Sequence, residues 1–278
     1  MTLDSKDNGF IEPLLKDLGR YLVQKQKNLQ KVEVKGHLDL VTEADYEVEK
    51  RLKESIQARN PEDRILGEER ERLDGRSMDQ GRIWVIDPLD GTVNFRWGSP
   101  IYAISVGLVE DGIPVAGWVY APSLNELFIA EVGRGAFLNG KLLVDPEGSA
   151  ELLSLSSGFL REVQMHCQGG LEPWLEVGKF RNLGSEALQL CYVAAGRLGA
   201  NINWEAKIWD DFAGAMVLRC AGCHYESYST RWHSSGLEEA LIRPEKALQS
   251  VACRPSLMTK ISDLLTYTVW RHHEARSN

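Results

Sequence analysis

The run WVIDPLDGTVNF, Trp84 to Phe95, restricts this chain more than any other segment. Its apolar lead, Ile83 to Ile86, reads as a short buried strand that delivers two carboxylates, a glycine and a threonine to whatever lies beyond its end. Asp87 and Asp90 are hard oxygen donors suited to magnesium, and Pro88 forces extended backbone at Asp87, so that the Leu89 carbonyl can turn toward the same ion. Gly91 lets a ligand approach the main chain, and Thr92 to Asn94, opening a helical turn, would offer N–H groups to a phosphate. A metal beside a phosphate cradle points to phosphoryl hydrolysis. A plain polar turn explains the run less well, because its carboxylates would repel one another without a cation. A phosphatase with an aspartate nucleophile places two Asp two apart; here they stand three apart, which favours metal-activated water.

At 278 residues the chain can bury a sizeable core, as one large domain or two closely packed halves. A formal net charge of −8 argues against non-specific nucleic-acid binding, which needs a basic face. The opening MTLDSKDNGF lacks the basic and apolar regions of a signal peptide, and no run reaches the length of a membrane span. A cytoplasmic location, no membrane or nucleic-acid partner and a small phosphorylated substrate are the expectations. Five scattered cysteines suggest reduced thiols; Cys220 and Cys223 form a CxxC with no second pair to complete a zinc site. The bland reading puts Cys220 on the buried face of a helix ending at Gly222 and Cys223 at the start of the next strand. His272 and His273 read as solvated.

Helices and strands alternate along the chain. Phe10 to about Gln30 and Tyr46 to Ala58 carry apolar residues at helical spacing. Tyr102 to Val109 and Ile113 to Tyr120 flank Asp111-Gly112, a hairpin signal, and Glu126 to Glu131 with Ala136 to Val144, bent at Asn139-Gly140, extend a mostly antiparallel sheet. After Pro146 the character shifts: Leu152 to Ser157 and Ala200 to Trp204 read as strands, Ser185 to Gly196 as a capped helix, and Asp211 to Ala221 as a buried helix. A boundary near residue 146 would separate an N-terminal half, 1–146, from a smaller α/β half, 147–278.

GEE at Gly67 to Glu69, the central run, and WDDFAGA at Trp209 to Ala215 resemble the three signature motifs of the inositol monophosphatase family of magnesium-dependent, lithium-sensitive phosphatases, in the same order and spacing. The likeness extends to KGHLDLVTEAD, to GAFLNG at Gly135 to Gly140 and to GSEALQLCYVAAGRL at Gly184 to Leu198. It implies an α/β (α+β) fold layered as an αβαβα sandwich, with a mostly antiparallel first sheet and a second, smaller α/β half, and commonly a homodimer. It implies two or three magnesium ions per site. Glu68, Asp87 and the Leu89 carbonyl match the ligands of the first; Asp87, Asp90 and Asp210 match those of the second. Gly91 and Thr92 match the main-chain phosphate cradle, Asp45 the carboxylate that pairs with the Thr92 hydroxyl, and Gly184 and Ser185 the substrate side. Thr92, Asp45 and Glu68 thereby become the catalytic set.

The chemistry stands without the family name. Carboxylates from separate segments raise one another's pKa when gathered in one cleft unless divalent cations offset their charge. Two ions roughly 3.5–4 Å apart can stabilise the attacking and leaving oxygens of an in-line displacement. Thr92, oriented by Asp45, would position the water or accept its proton. Glu69 reads as a supporting or solvated acid, Asp211 as a helix N-terminal acid where the family has an apolar residue, and Trp204 and Trp209 as packing. Substrate choice in the family depends on residues around Gly184, Ser185 and Glu186 and on the segment NINWEAKIWD. Inositol-specific members often carry an acid seven residues before the motif Asp; Asn203 stands there, with Glu205 two residues later. Lys207 reads as an exposed lysine first and as a partner for a charged leaving group second. The resulting expectation is a phosphomonoesterase for inositol monophosphate or a related small polyol phosphate. The alternatives are 3′-phosphoadenosine 5′-phosphate, fructose 1,6-bisphosphate or histidinol phosphate as substrate, or a catalytically weak protein-binding module.

Overall fold

The computed structural model describes residues 6–28, 43–68, 80–144, 151–166, 170–228 and 246–266, with Leu237, Leu241 and Pro244 between the last two ranges. The first part of KGHLDLVTEAD, Glu69, Pro146, Cys167 and the pair His272-His273 lie outside the described residues. Two sheets and three helical layers alternate, giving the expected αβαβα order.

The outer helical layer is α1 (Asn8–Lys27) and α2 (Glu43–Arg59). Ile11, Leu15, Leu18 and Leu22 recur at helical spacing on α1, and Val48, Leu52 and Ile56 do so on α2; all are buried. Each such side chain contributes about 1.5–3 kcal/mol of burial free energy. Both helices cover one face of a seven-stranded sheet in sequence order: β1 (Arg64–Gly67), β2 (Arg82–Asp90), β3 (Ala103–Glu110), β4 (Ile113–Ala121), β5 (Glu126–Glu131), β6 (Gly135–Leu138) and β7 (Lys141–Leu142). β1 and β2 are parallel, and every other neighbouring pair is antiparallel. The short helix α3 (Thr92–Arg96) follows β2 directly.

The expected strand at Ile83 to Ile86 runs further, through Pro88 to Asp90. Pro88 is accommodated because the pairing of β2 with β3 shifts register between Asp87 and Asp90, where a missing N–H removes no regular ladder bond. Trp84 and Ile86 face α1 and α2, whereas Ile83 and Val85 face the next helical layer. A strand covered on both faces has no polar alternation, hence the continuous apolar run.

That middle layer is α6 (Glu186–Ala194) and α7 (Ile208–Cys220), with α4 (Ser157–His166) and α5 (Glu172–Leu175) preceding them in the chain. α7 packs so closely on the first sheet that a Cβ at Gly107 would overlap the Phe212 ring. α7 begins at Ile208, three residues earlier than the expected start at Asp211, so Trp209 and Asp210 sit in its first turn. Its other side meets the second sheet, β11-β12-β10-β8-β9, formed by β8 (Leu152–Leu155), β9 (Lys179–Arg181), β10 (Ala200–Asn203), β11 (His224–Tyr228) and β12 (Gln249–Cys253). α4, α5 and α8 (Met258–Leu265) cover that sheet's outer face around Phe159, Trp174 and Ile261. Cys191, Cys220, Cys223 and Cys253 are not in disulfides. Cys220 is half-buried at the last residue of α7, less enclosed than the sequence suggests, and Cys223 immediately precedes β11. Among the described residues no helix is long and apolar enough to cross a membrane.

Candidate active site

Three chain segments end at one place. Glu68 follows the last residue of β1, Asp87 lies near the end of β2 and Asp210 in the first turn of α7. Oxygen atoms of Glu68, Asp87 and Asp210 all lie within 4.8 Å of one another, the one such group of possible metal-ligating side chains among the described residues. They open into a cleft of about 230 Å³ whose described lining also includes Leu89, Asp90, Gly91, Thr92, Gly184 and Ser185. The sequence-derived residues therefore converge, with Asp45 just behind Thr92.

The local geometry follows from the strand, its bulge and the turn after it. Leu89 N–H donates to Asp87 Oδ1 at 2.9 Å, a local turn that fixes the carboxylate. Gly91 has φ +93°, left-handed backbone, and a Cβ there would come within 3.0 Å of both the Gly184 and the Ile101 carbonyls. From that turn α3 starts at Thr92, so its first N–H groups have no partner within the helix. The Thr92 hydroxyl lies 3.0 Å from the Leu89 carbonyl and 3.4 Å from Asp45 Oδ1, and Asp45 is buried in the first turn of α2. Asn94 Nδ2 donates to the Ile101 and Leu183 carbonyls, both at 2.7 Å, which ties the α3 turn to the opposite wall.

Asp90 lies in the cleft but outside the three-residue group. It accepts from Ser185 Oγ at 2.5 Å, from Glu186 N–H at 3.0 Å and from Ala187 N–H at 2.9 Å. A carboxylate from the first sheet thus caps the N-terminus of α6, where negative charge is favoured. Asp210 closes its own helix by accepting from Lys207 N–H at 2.7 Å. Lys207 is half-buried, with its ammonium 5.1 Å from the centre of the Trp209 ring, and it is not among the residues lining the cleft.

Electrostatics mark the group. Burial, then the charges of Glu68 and Asp210, holds the Asp87 carboxyl well above the ordinary range. Burial and Asp90 push Asp210 to about 7; loss of solvation and the charges of Asp210 and Asp45 push Glu68 to about 8, although part of that residue reaches solvent. Asp90 rises to about 6 by burial, opposed by hydrogen bonds from the Ser185 hydroxyl and the Glu186, Ala187 and Leu188 N–H groups. Neighbouring acids that resist ionisation await positive charge.

The opposite wall holds residues that sequence reasoning passed over, Ser156, Asn182 and Gln189, beside Glu205 and Ala206 of the segment NINWEAKIWD. Glu205 accepts from Ser157 N–H at 3.1 Å, capping α4. Asn203 accepts from Glu205 and Ala206 N–H groups and donates to Glu186. A legible signal existed: Asn201 and Asn203 alternate within β10, and Glu186 and Gln189 share one face of α6. Asp211 is, as expected, an acid of the first turn of α7; it is also fully buried and accepts from Tyr225 Oη at 2.7 Å. Trp204 packs edge-on against Phe159 at 5.0 Å, as expected of a packing residue.

Comparison with known proteins supplies the lineage. Residues 9–258 match the profile of the inositol monophosphatase family. A fructose-1,6-bisphosphatase/inositol-1-monophosphatase of Thermotoga maritima is 36% identical over 211 residues, 75% of this chain and 80% of that protein. An inositol-1-monophosphatase of Rhizobium meliloti is 38% identical over 208 residues, 70% of this chain and 74% of its own length. A solved Thermotoga maritima inositol monophosphatase superposes with a TM-score of 0.79 at 29% identity, covering 95% of this chain and 98% of the other. The chain belongs to the inositol monophosphatase family.

Proposed function

We propose that this protein is a magnesium-dependent phosphatase of inositol monophosphate or a related small polyol phosphate. The coarser statement, a phosphoric monoester hydrolase of the inositol monophosphatase type, follows from its family membership. The observation that carries the finer reading is the charge of the cleft. Glu68, Asp87, Asp90, Glu186, Glu205 and Asp210 line it, and no Lys or Arg does among the described residues. A phosphate dianion enters such a cleft only with cations. The donor set fits: hard carboxylate oxygens and the Leu89 carbonyl suit magnesium rather than a softer metal.

Glu68, Asp87, Leu89, Asp90 and Asp210 would hold two or three ions. Magnesium bound there offsets the carboxylate charge, binds phosphate oxygens and acidifies water. Gly91 and the N–H groups at the start of α3 cradle the phosphate, because no Cβ intervenes and the helix end favours an anion. Thr92 Oγ1, set between Leu89 O and Asp45 Oδ1, positions the attacking water and hands its proton toward Asp45. Glu68 orients the same water. No covalent intermediate on the protein is needed.

A second substrate class has some support: relatives of Thermotoga maritima and Aquifex aeolicus are each named fructose-1,6-bisphosphatase/inositol-1-monophosphatase. The absence of a basic side chain in the described lining speaks against a second phosphate. The intact set Asp45, Glu68, Asp87, Asp90, Thr92 and Asp210 speaks against a purely protein-binding role. Lithium sensitivity and a homodimer are further parts of this proposal; the exposed Val93 and Trp97 beside the site offer an apolar surface for a second copy. A cytoplasmic location is supported by cysteines that stay out of disulfides. Phosphate release with magnesium, with and without chelator, across inositol 1-phosphate, 3′-phosphoadenosine 5′-phosphate, fructose 1,6-bisphosphate and histidinol phosphate tests the reading. Chelator-sensitive release, fastest from inositol 1-phosphate, is expected. Release that ignores chelator would overturn it.

A further inference from the structure

The helix that carries Thr92 cannot hold its own place. α3 is five residues long, and a helix of that length is unfavourable by itself, so contacts from elsewhere must orient it. Its far end is held by α1: Gln26 Nε2 donates to the Phe95 and Ser99 carbonyls, both at 3.0 Å. Its cleft side is held by Asn94. That amide nitrogen donates both of its protons at 2.7 Å, one to the Ile101 carbonyl after α3 and one to the Leu183 carbonyl, 89 positions along the chain. Leu183 is anchored in turn, since its N–H donates to Gln189 Oε1 of α6 at 2.7 Å.

The fit around the amide is close. A Cβ on Gly184, whose φ is +76°, would lie 2.9 Å from Asn94 Nδ2, and a Cβ on Gly91 would lie 3.0 Å from the Gly184 carbonyl. Two left-handed glycines thus let the turn after β2 and the loop before α6 approach with the Asn94 amide between them. Hydrogen-bonding need alone does not call for an amide there: Leu183 is half-buried beside the exposed Asn182 and Gly184, where water would serve. What a side-chain amide adds is a fixed distance and direction. Thr92 shares its turn, which opens with Phe95 N–H on the Gly91 carbonyl at 2.9 Å. The Thr92 hydroxyl stands 3.4 Å from Asp45 Oδ1, long for a hydrogen bond, so a small rotation of α3 breaks that contact.

We propose that Asn94 is a positioning residue: its bonds to Ile101 and Leu183 hold the α3 turn in the rotation that keeps Thr92 Oγ1 in reach of Asp45. This rests on the phosphatase reading above, in which Thr92 places the attacking water. Glu68, Asp87 and Asp210 lie on other elements, so the metal-binding group does not depend on this amide.

The test uses the full chain with magnesium and the phosphate ester that the unaltered protein hydrolyses fastest. Asn94→Ala should lower kcat by about 10–100-fold, as a misplacement of about 1 Å does, and leave KM within about threefold. The rise in melting temperature on adding magnesium should equal that of the unaltered chain. In a Thr92→Val background the same change should lower kcat by less than about threefold further, because the hydroxyl it aligns is gone. Asn94→Ser keeps the local turn chemistry but cannot reach both carbonyls; it should show the same pattern, and it carries the test where Asn94→Ala does not fold. An equal fold loss with Thr92 and with Val at that position overturns the assignment, as does a raised KM with unchanged kcat or a lost response to magnesium. Each of these leaves the phosphatase reading standing. Phosphate release from no ester by the unaltered protein overturns that reading and this one with it.

Discussion

One wall of the cleft comes from a single unbroken stretch, Asp87 to Thr92, at the end of a central strand. The facing wall draws Glu186, Asn203 and Asp210 from three elements, α6, β10 and α7, and Ser156, Asn182 and Ser185 from the chain beside β8, β9 and α6. On the first wall, position is set locally: a bulge at Pro88, a turn at Gly91 and a helix start at Thr92 aim the groups in order. On the second, position is set by contacts between distant segments, such as Ser185 to Asp90 across 95 positions. The first wall carries the carboxylates of Asp87 and Asp90; the second sets amides and hydroxyls among the carboxylates of Glu186, Glu205 and Asp210. The groups of the first wall are thus placed largely by sequence order, and those of the facing wall by tertiary packing.

Perturbing each wall should separate these roles. The largest effect is expected for Asp87→Asn, which should lower turnover by on the order of 10³-fold. In chelator the same variant should melt at a higher temperature than the unaltered chain, because a buried acid crowded by Glu68 and Asp210 is removed. A kinetic assay paired with thermal unfolding reads both; a loss of stability would mean Asp87 is a structural residue. Thr92→Val should follow with a loss of about 10²-fold in kcat and little change in melting, since one hydroxyl between Leu89 and Asp45 is lost. On the facing wall, Glu205→Ala removes the acceptor that caps α4, costing about 0.5–2 kcal/mol by chemical denaturation with kcat unchanged. A kcat loss for Glu205→Ala comparable to that for Thr92→Val would erase the contrast between the walls.

The same contrast explains what the sequence made legible. The apolar run before Asp87, the Asp-Gly hairpin at 111–112 and the spacing of Val48, Leu52 and Ile56 are local patterns, and the elements they announce are present within a few residues. The strand end was misplaced because Pro88 ordinarily interrupts a ladder, and only the register shift against β3 admits it. The start of α7 was misplaced because Lys207 is an unremarkable cap by composition; its N–H is bonded by Asp210. Asp90 reads as a metal-facing acid in sequence, and its bonds to Ser185, Glu186 and Ala187 appear only once α6 packs against the end of β2. Glu186 stands out in sequence only through the family resemblance, with no sign of how its side chain is held. Its inward turn depends on Asn201 and Asn203, two alternate residues of a strand far along the chain.

The most direct test of the charge cluster is thermal unfolding of the unaltered protein across about pH 5 to 9, with chelator and with magnesium. The folded state holds protons on Asp90, Asp210 and Glu68 up to about 6, 7 and 8, whereas the unfolded chain releases them in the ordinary carboxylate range. Stability in chelator should therefore be greatest on the acid side and fall as pH rises through those values. Magnesium should raise the melting temperature most at the alkaline end and flatten the slope, because it replaces the protons that the carboxylates would otherwise need. A melting temperature indifferent to both pH and magnesium would contradict a cation-dependent site at Glu68, Asp87 and Asp210.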